Sequence, residues 1–193
     1  MISDEFDSTD THGFTLVEVL IAMMVLAIVS LGVVGLFGTA VRATYAARNQ
    51  TSTSILAEQK LEQLRSLTWG FDDSGQNLPV SDTTTDLATN PPSNGGPGLN
   101  PSPTNALDTN LQYYVDYLDA RGQWRGTGVT PPGGTTFIRR WSVQPLPTNP
   151  NNTLILQVLV TPAVREMTLQ AGGPRRRYPD DALVATVKTR KAH

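Results

Sequence analysis

The chain has 193 residues, 39% of them hydrophobic, with 15 Lys and Arg against 17 Asp and Glu and a formal net charge of -2; that is room for one modest domain plus one membrane-length segment. It has no cysteine and only two histidines, His12 and His193. Disulfides and thiolate metal sites are thereby excluded, and there is almost no material for a Ser/His/Asp triad or a multi-histidine metal centre. The bulk charge does not indicate a nucleic-acid-binding domain, and the expectation is a protein that is not an enzyme and has no catalytic residues, cofactor or metal.

Four acidic residues, Asp4, Glu5, Asp7 and Asp10, precede Gly13 with no Lys or Arg among them. The sequence then turns apolar, and from Val19 to Val41 it carries no charge. As a helix rising about 1.5 Å per residue, that stretch spans roughly 34 Å, enough to cross a hydrocarbon core of about 30 Å. A cleaved secretory signal has a shorter apolar core, about 7 to 15 residues, closed by a small-residue cleavage site. This run is longer and lacks that site. One carboxylate, Glu18, stands at its head, and a carboxylate deep in a membrane helix costs about 2.5 to 3.5 kcal/mol on insertion scales. Such a residue normally has a partner. Gly32, Gly35 and Gly38 recur on one helix face, suited either to close packing of small residues or to local loosening of the helix.

Gly13, Phe14, Thr15, Leu16, Val17 and Glu18 read G-F-T-L-V-E, which resembles the prepilin cleavage and methylation motif of type IV pilins and of the related secretion pseudopilins. The resemblance implies a prepilin peptidase as partner, cutting between Gly13 and Phe14 on the cytoplasmic side, removing a leader of residues 1–13 and N-methylating Phe14. It implies that Glu18 meets the terminal ammonium of a neighbouring subunit during assembly, so that two charges neutralise in an apolar filament core. The alternative is pairing with its own N-terminus, which the helix dipole also favours. Just before the glycine, where that family commonly has Lys or Arg, stand Asp10, Thr11 and His12. The implied location is the inner membrane as a single-pass precursor, then a cell-surface pilus with the C-terminal domain outside the cytoplasm. Other pilin subunits would be partners through the N-terminal helix.

Residues 14–41 are thus expected to be the transmembrane, filament-core half of a long helix, and residues 42–69 its amphipathic half, with Ile55, Leu56, Leu61, Leu64 and Leu67 near helical spacing. Residues 70–110 are rich in Gly, Pro, Asn, Ser and Thr and read as a long loop without extended regular structure, either a tolerated insertion or a binding loop. Asp72, Asp73, Asp82 and Asp86 offer oxygen ligands for calcium, but their spacing matches no EF-hand loop.

Residues 111–193 read as an antiparallel sheet region. "LQYYVDYLD" alternates Leu111, Tyr113, Val115 and Tyr117 against Gln112, Tyr114 and Asp116, and "ARGQW" turns into a second strand. "TFIRRWSVQPL" puts Phe137, Arg139, Trp141 and Val143 on one face, and "TLILQVLVT" does the same with Leu154, Leu156, Val158 and Val160. A last strand, "ALVATVKTRK", has Leu183, Ala185 and Val187 facing one way. The fold class expected is α+β, with the amphipathic half-helix packed on the sheet, which is similar to the pilin architecture. The tail resembles, loosely, PilV-type minor pilins. The function implied is a minor pilin, a structural subunit acting in filament assembly. The alternatives are a minor pseudopilin of a type II secretion system, or a DNA-uptake subunit using Arg139, Arg140 and Arg175 to Arg177 against phosphates. For that patch a solvated loop is the favoured reading, so nucleic acid is not an expected partner.

Overall fold

The computed structural model describes residues 13–71, 79–168 and 177–190. Apart from Gly13, the expected leader lies outside the described residues, as do Asp72, Asp73, Arg175 and Arg176. Contacts divide the chain into two compact units, one ending at Tyr45 and the other beginning at Ala46.

The long helix is present as α1 (Leu16–Ser66). Within the first unit every residue from Gly13 to Tyr45 is exposed, so apolar side chains face outward on all sides of this part of the helix. Within the second unit α1 buries one stripe, Thr53, Leu56, Ala57, Lys60, Leu61 and Leu64, whose spacing of three and four residues keeps it on one face. Ile55 falls off that stripe and is 51% exposed, whereas Leu67, just past the helix end, packs against the core.

Two short antiparallel pairs follow, β1 (Trp69–Phe71) with β2 (Pro79–Ser81) and β3 (Thr85–Asp86) with β4 (Ser93–Asn94). The main sheet comprises β5 (Val115–Leu118), β6 (Trp124–Thr127), β7 (Phe137–Pro145), β8 (Thr153–Pro162) and, after the short helix α2 (Ala163–Thr168), β9 (Ala182–Thr189). The order is β6-β5-β7-β8-β9, antiparallel throughout. The α+β architecture expected from the sequence, a long N-terminal helix followed by an antiparallel sheet, is the one observed.

The β7–β8 register sets Trp141 opposite Val158 and Val143 opposite Leu156. Their shared face, with Phe137, Leu154 and Val160, joins Leu56, Leu61 and Leu64 of α1 in one core. The β5–β6 hairpin turns through Gly122 at φ +77, where an added Cβ would also meet Leu56 Cδ2 at 3.0 Å. Glycine is needed there for both reasons.

Three details differ from simple alternation. The strand at "LQYYVDYLD" begins only at Val115, because Tyr114 N–H donates to Leu111 O in a turn and Tyr113 has φ 71. The turn resets the phase, so Tyr114 and Leu118 enter the α1-side core while Val115 and Tyr117 form a smaller cluster with Ile138 and Ala163. Leu183, Ala185 and Val187 do share a face of β9, but it is exposed, and Ala182 and Val184 supply the core contacts. The Gly/Pro/Asn-rich segment carries little regular structure among its described residues, yet Leu87, Ala88, Leu99 and Ala106 are buried in the core.

Candidate processing site and the buried charge cluster

The Gly13–Phe14 bond lies in non-helical, exposed chain immediately before α1, and Phe14 is 83% exposed. A peptidase needs a bond of this kind, free of helical hydrogen bonds and open to approach. The helix then starts abruptly because Thr15 caps it: the Glu18 backbone N–H lies 3.3 Å from Thr15 Oγ1. Thr15 is therefore the N-cap and Glu18 the third helical residue, the spacing of a capping box. Thr15 is not among the residues expected from the sequence, although the Ser/Thr-x-x-Glu signature ahead of an apolar run is a signal for it. The Glu18 carboxylate is exposed in the first turn, where the unpaired N–H groups and the dipole favour an anion, and among the described residues no cation pairs with it.

Downstream, α1 is long and apolar enough to cross a membrane, and none of its most apolar window is buried. Its hydroxyls donate to the helix's own carbonyls: Ser30 to Leu26 O at 2.7 Å, Thr39 to Leu36 O at 2.8 Å and Thr44 to Ala40 O at 2.9 Å. These groups ask nothing of an apolar surrounding, which cannot supply hydrogen bonds. An added Cβ at Gly32, Gly35 or Gly38 would meet nothing within 4 Å.

Residues 9–34 match the prokaryotic N-terminal methylation motif. The match spans Gly13, Phe14, the Thr15 cap, Glu18 and the apolar run as far as Val34, and it supports a prepilin-type protein. Searches among curated proteins and among solved structures return no match for the chain.

A second cluster, buried in the second unit, is not among the features expected from the sequence. Lys60 Nζ lies 2.8 Å from Asp116 Oδ2 and donates to Leu87 O at 2.6 Å, while Arg139 grips both Asp116 oxygens at 2.9 and 2.8 Å and donates to Leu56 O at 3.0 Å. Lys60 also stands 4.3 Å from the centroid of the Trp141 ring. Burial pulls the Lys60 ammonium down from 10.5 to about 8, against the upward pull of Asp116. The cluster joins α1, β5, β7 and the Leu87 segment through hydrogen-bonded charges, an arrangement that fixes geometry more than it adds stability.

Of the arginines in the candidate phosphate patch, the three described ones are otherwise engaged. Arg139 holds Asp116, and Arg140, whose side chain is 0% exposed, holds Asn110 and Glu166. Arg177 lies 3.5 Å from Asp108. Of the acidic residues considered for calcium, Asp82 accepts the N–H groups of Thr84 and Thr85, and Asp86 accepts that of Ala88. Both act as local turn acceptors.

Proposed function

We propose that the chain is the precursor of a minor pilin, cut between Gly13 and Phe14, N-methylated at Phe14 and assembled into a type IV pilus through α1. The observation that carries this reading is the methylation motif over residues 9–34, with its Gly-Phe junction in exposed coil just before a capped helix that is uncharged from Val19 to Val41. On this reading the helix holds the precursor in the inner membrane as a single pass. In the filament the same apolar surface packs against the helices of other subunits, and Glu18 takes the Phe14 ammonium of a neighbour. The second unit, with Lys60, Arg139 and Arg140 each held by a carboxylate, serves as a structural module and not as an enzyme.

The experiment is mass spectrometry of the mature N-terminus after expression with a prepilin peptidase. The expected terminus is N-methylated Phe14, and Gly13→Leu leaves the precursor uncut. An intact Met1, or cleavage beyond Val41, overturns the reading.

A further inference from the structure

A cavity of about 410 Å3 opens on the second unit, its walls including Trp69, Ser81, Thr83, Asn100, Pro150 and Arg190. Arg190, the residue after β9, is held in an unusual way. Its backbone N–H donates to Asn152 O at 2.8 Å, and its guanidinium lies over Trp69, 4.0 Å from the ring centroid, with Phe71 at 5.5 Å. Its Nε is buried with no acceptor among the described residues. Arg139, Arg140 and Arg165 each hold a carboxylate; Arg190 holds none among the described residues. A buried donor without an acceptor is costly, and native proteins keep few of them. Stacking positions this guanidinium, and its side chain makes no hydrogen bond among the described residues.

The remaining walls narrow the ligand. Among the described residues Arg190 is the only charged one lining the cavity, which suits a single negative charge better than a phosphate dianion. The fork of a guanidinium matches a carboxylate in bidentate geometry. Ser81, Thr83 and Asn100 offer hydroxyl and amide groups that make no side-chain hydrogen bonds among the described residues, and prolines and leucines supply apolar surface between them. The volume is at the lower end of small-ligand sites, about 300 to 1,000 Å3. We propose that this cavity binds an acidic sugar, with the carboxylate on Arg190 and the ring hydroxyls on Asn100, Ser81 and Thr83.

The test is calorimetric titration of the full chain in detergent micelles with glucuronate, glucose and sulfate. Glucuronate is expected to bind, with glucose weaker by about tenfold or more because it lacks the charge-assisted pair. Arg190→Gln is expected to abolish the difference between the two sugars. Since that change also removes packing on Trp69, Asn100→Asp provides a second arm. It leaves the arginine in place, sets a carboxylate at the cavity, and is expected to weaken glucuronate by about tenfold with an unaltered unfolding temperature. Absence of glucuronate binding to wild type, or equal binding by wild type and both variants, overturns the site. Sulfate binding as tight as glucuronate overturns its assignment to a sugar.

Discussion

Lys60 on α1 and Asp116 on β5 meet at 2.8 Å with side chains 2% and 1% exposed. Because Arg139 reaches the same carboxylate from β7, one buried anion serves two buried cations, and the helix can dock on the sheet in only one register without stranding a charge. The dependence is lopsided: removing a cation leaves a pair, whereas removing the anion leaves two like charges facing each other.

Asp116→Asn is therefore expected to destabilise the fragment beginning at Arg42 by about 3 to 5 kcal/mol. Lys60→Met, which keeps the Arg139–Asp116 pair, is expected to cost clearly less. Urea unfolding of both variants measures the difference, and equal losses would mean that the anion does not organise the cluster.

The stability of the same fragment is expected to rise with pH above about 8. Folded Lys60 gives up its proton near 8, while the unfolded chain holds it to 10.5, so between those values the unfolded state binds more protons and unfolding becomes harder. Tyr117 acts in the opposite sense, since burial raises its phenol from 10.0 to about 12 and the unfolded chain loses that proton first. A maximum near the crossing of the two windows is expected in urea midpoints taken from pH 7 to 11, and Lys60→Met should remove the rising limb alone.

Leu64, 0% exposed on the α1 stripe, is expected to cost about 2 to 5 kcal/mol when cut to Ala. Ile55, beside Leu56 on the same helix but outside the stripe and half-exposed, should stay within about 0.5 kcal/mol for the same change. Thermal unfolding of the two variants tests which face of α1 meets the sheet.

Glu18→Gln removes the charge at nearly constant shape. Insertion should be no harder, since the cost of placing a carboxylate in the bilayer disappears, and cleavage should persist because the Gly13–Phe14 bond is untouched. Entry into filaments should fall, because a neighbour's Phe14 ammonium would lose its carboxylate in an apolar core. Comparing membrane and sheared-filament fractions of wild type and variant checks this. Equal incorporation would confine Glu18 to pairing with its own terminus.

The α1 and sheet elements were legible because their periodicities are strong: Leu154, Leu156, Val158 and Val160 alternate without a break, and Leu56, Leu61 and Leu64 hold helical spacing. The charge cluster was not: alternation sets Arg139 on the face of Trp141 and Val143 but puts Asp116 on the face opposite Val115 and Tyr117, and only long-range pairing brings Lys60, Asp116 and Arg139 together. A single left-handed residue, Tyr113, changed the phase of the first strand, and no pattern of side-chain polarity announces such a turn. Leu87, Ala88 and Leu99 lie in a segment with no period, so their burial had no local signal. The processing junction was readable because its information is local, within six consecutive residues.

The internally bonded hydroxyls of Ser30, Thr39 and Thr44 bear on how a membrane helix could leave its bilayer. Lipid tails and leucine-rich helices are equally oily surroundings, and a helix whose polar atoms are already satisfied crosses from one to the other without breaking a hydrogen bond along its length. Neither phase holds it strongly against the other. The preference must then arise at its tip, where a carboxylate in the first turn seeks a cation that hydrocarbon cannot provide.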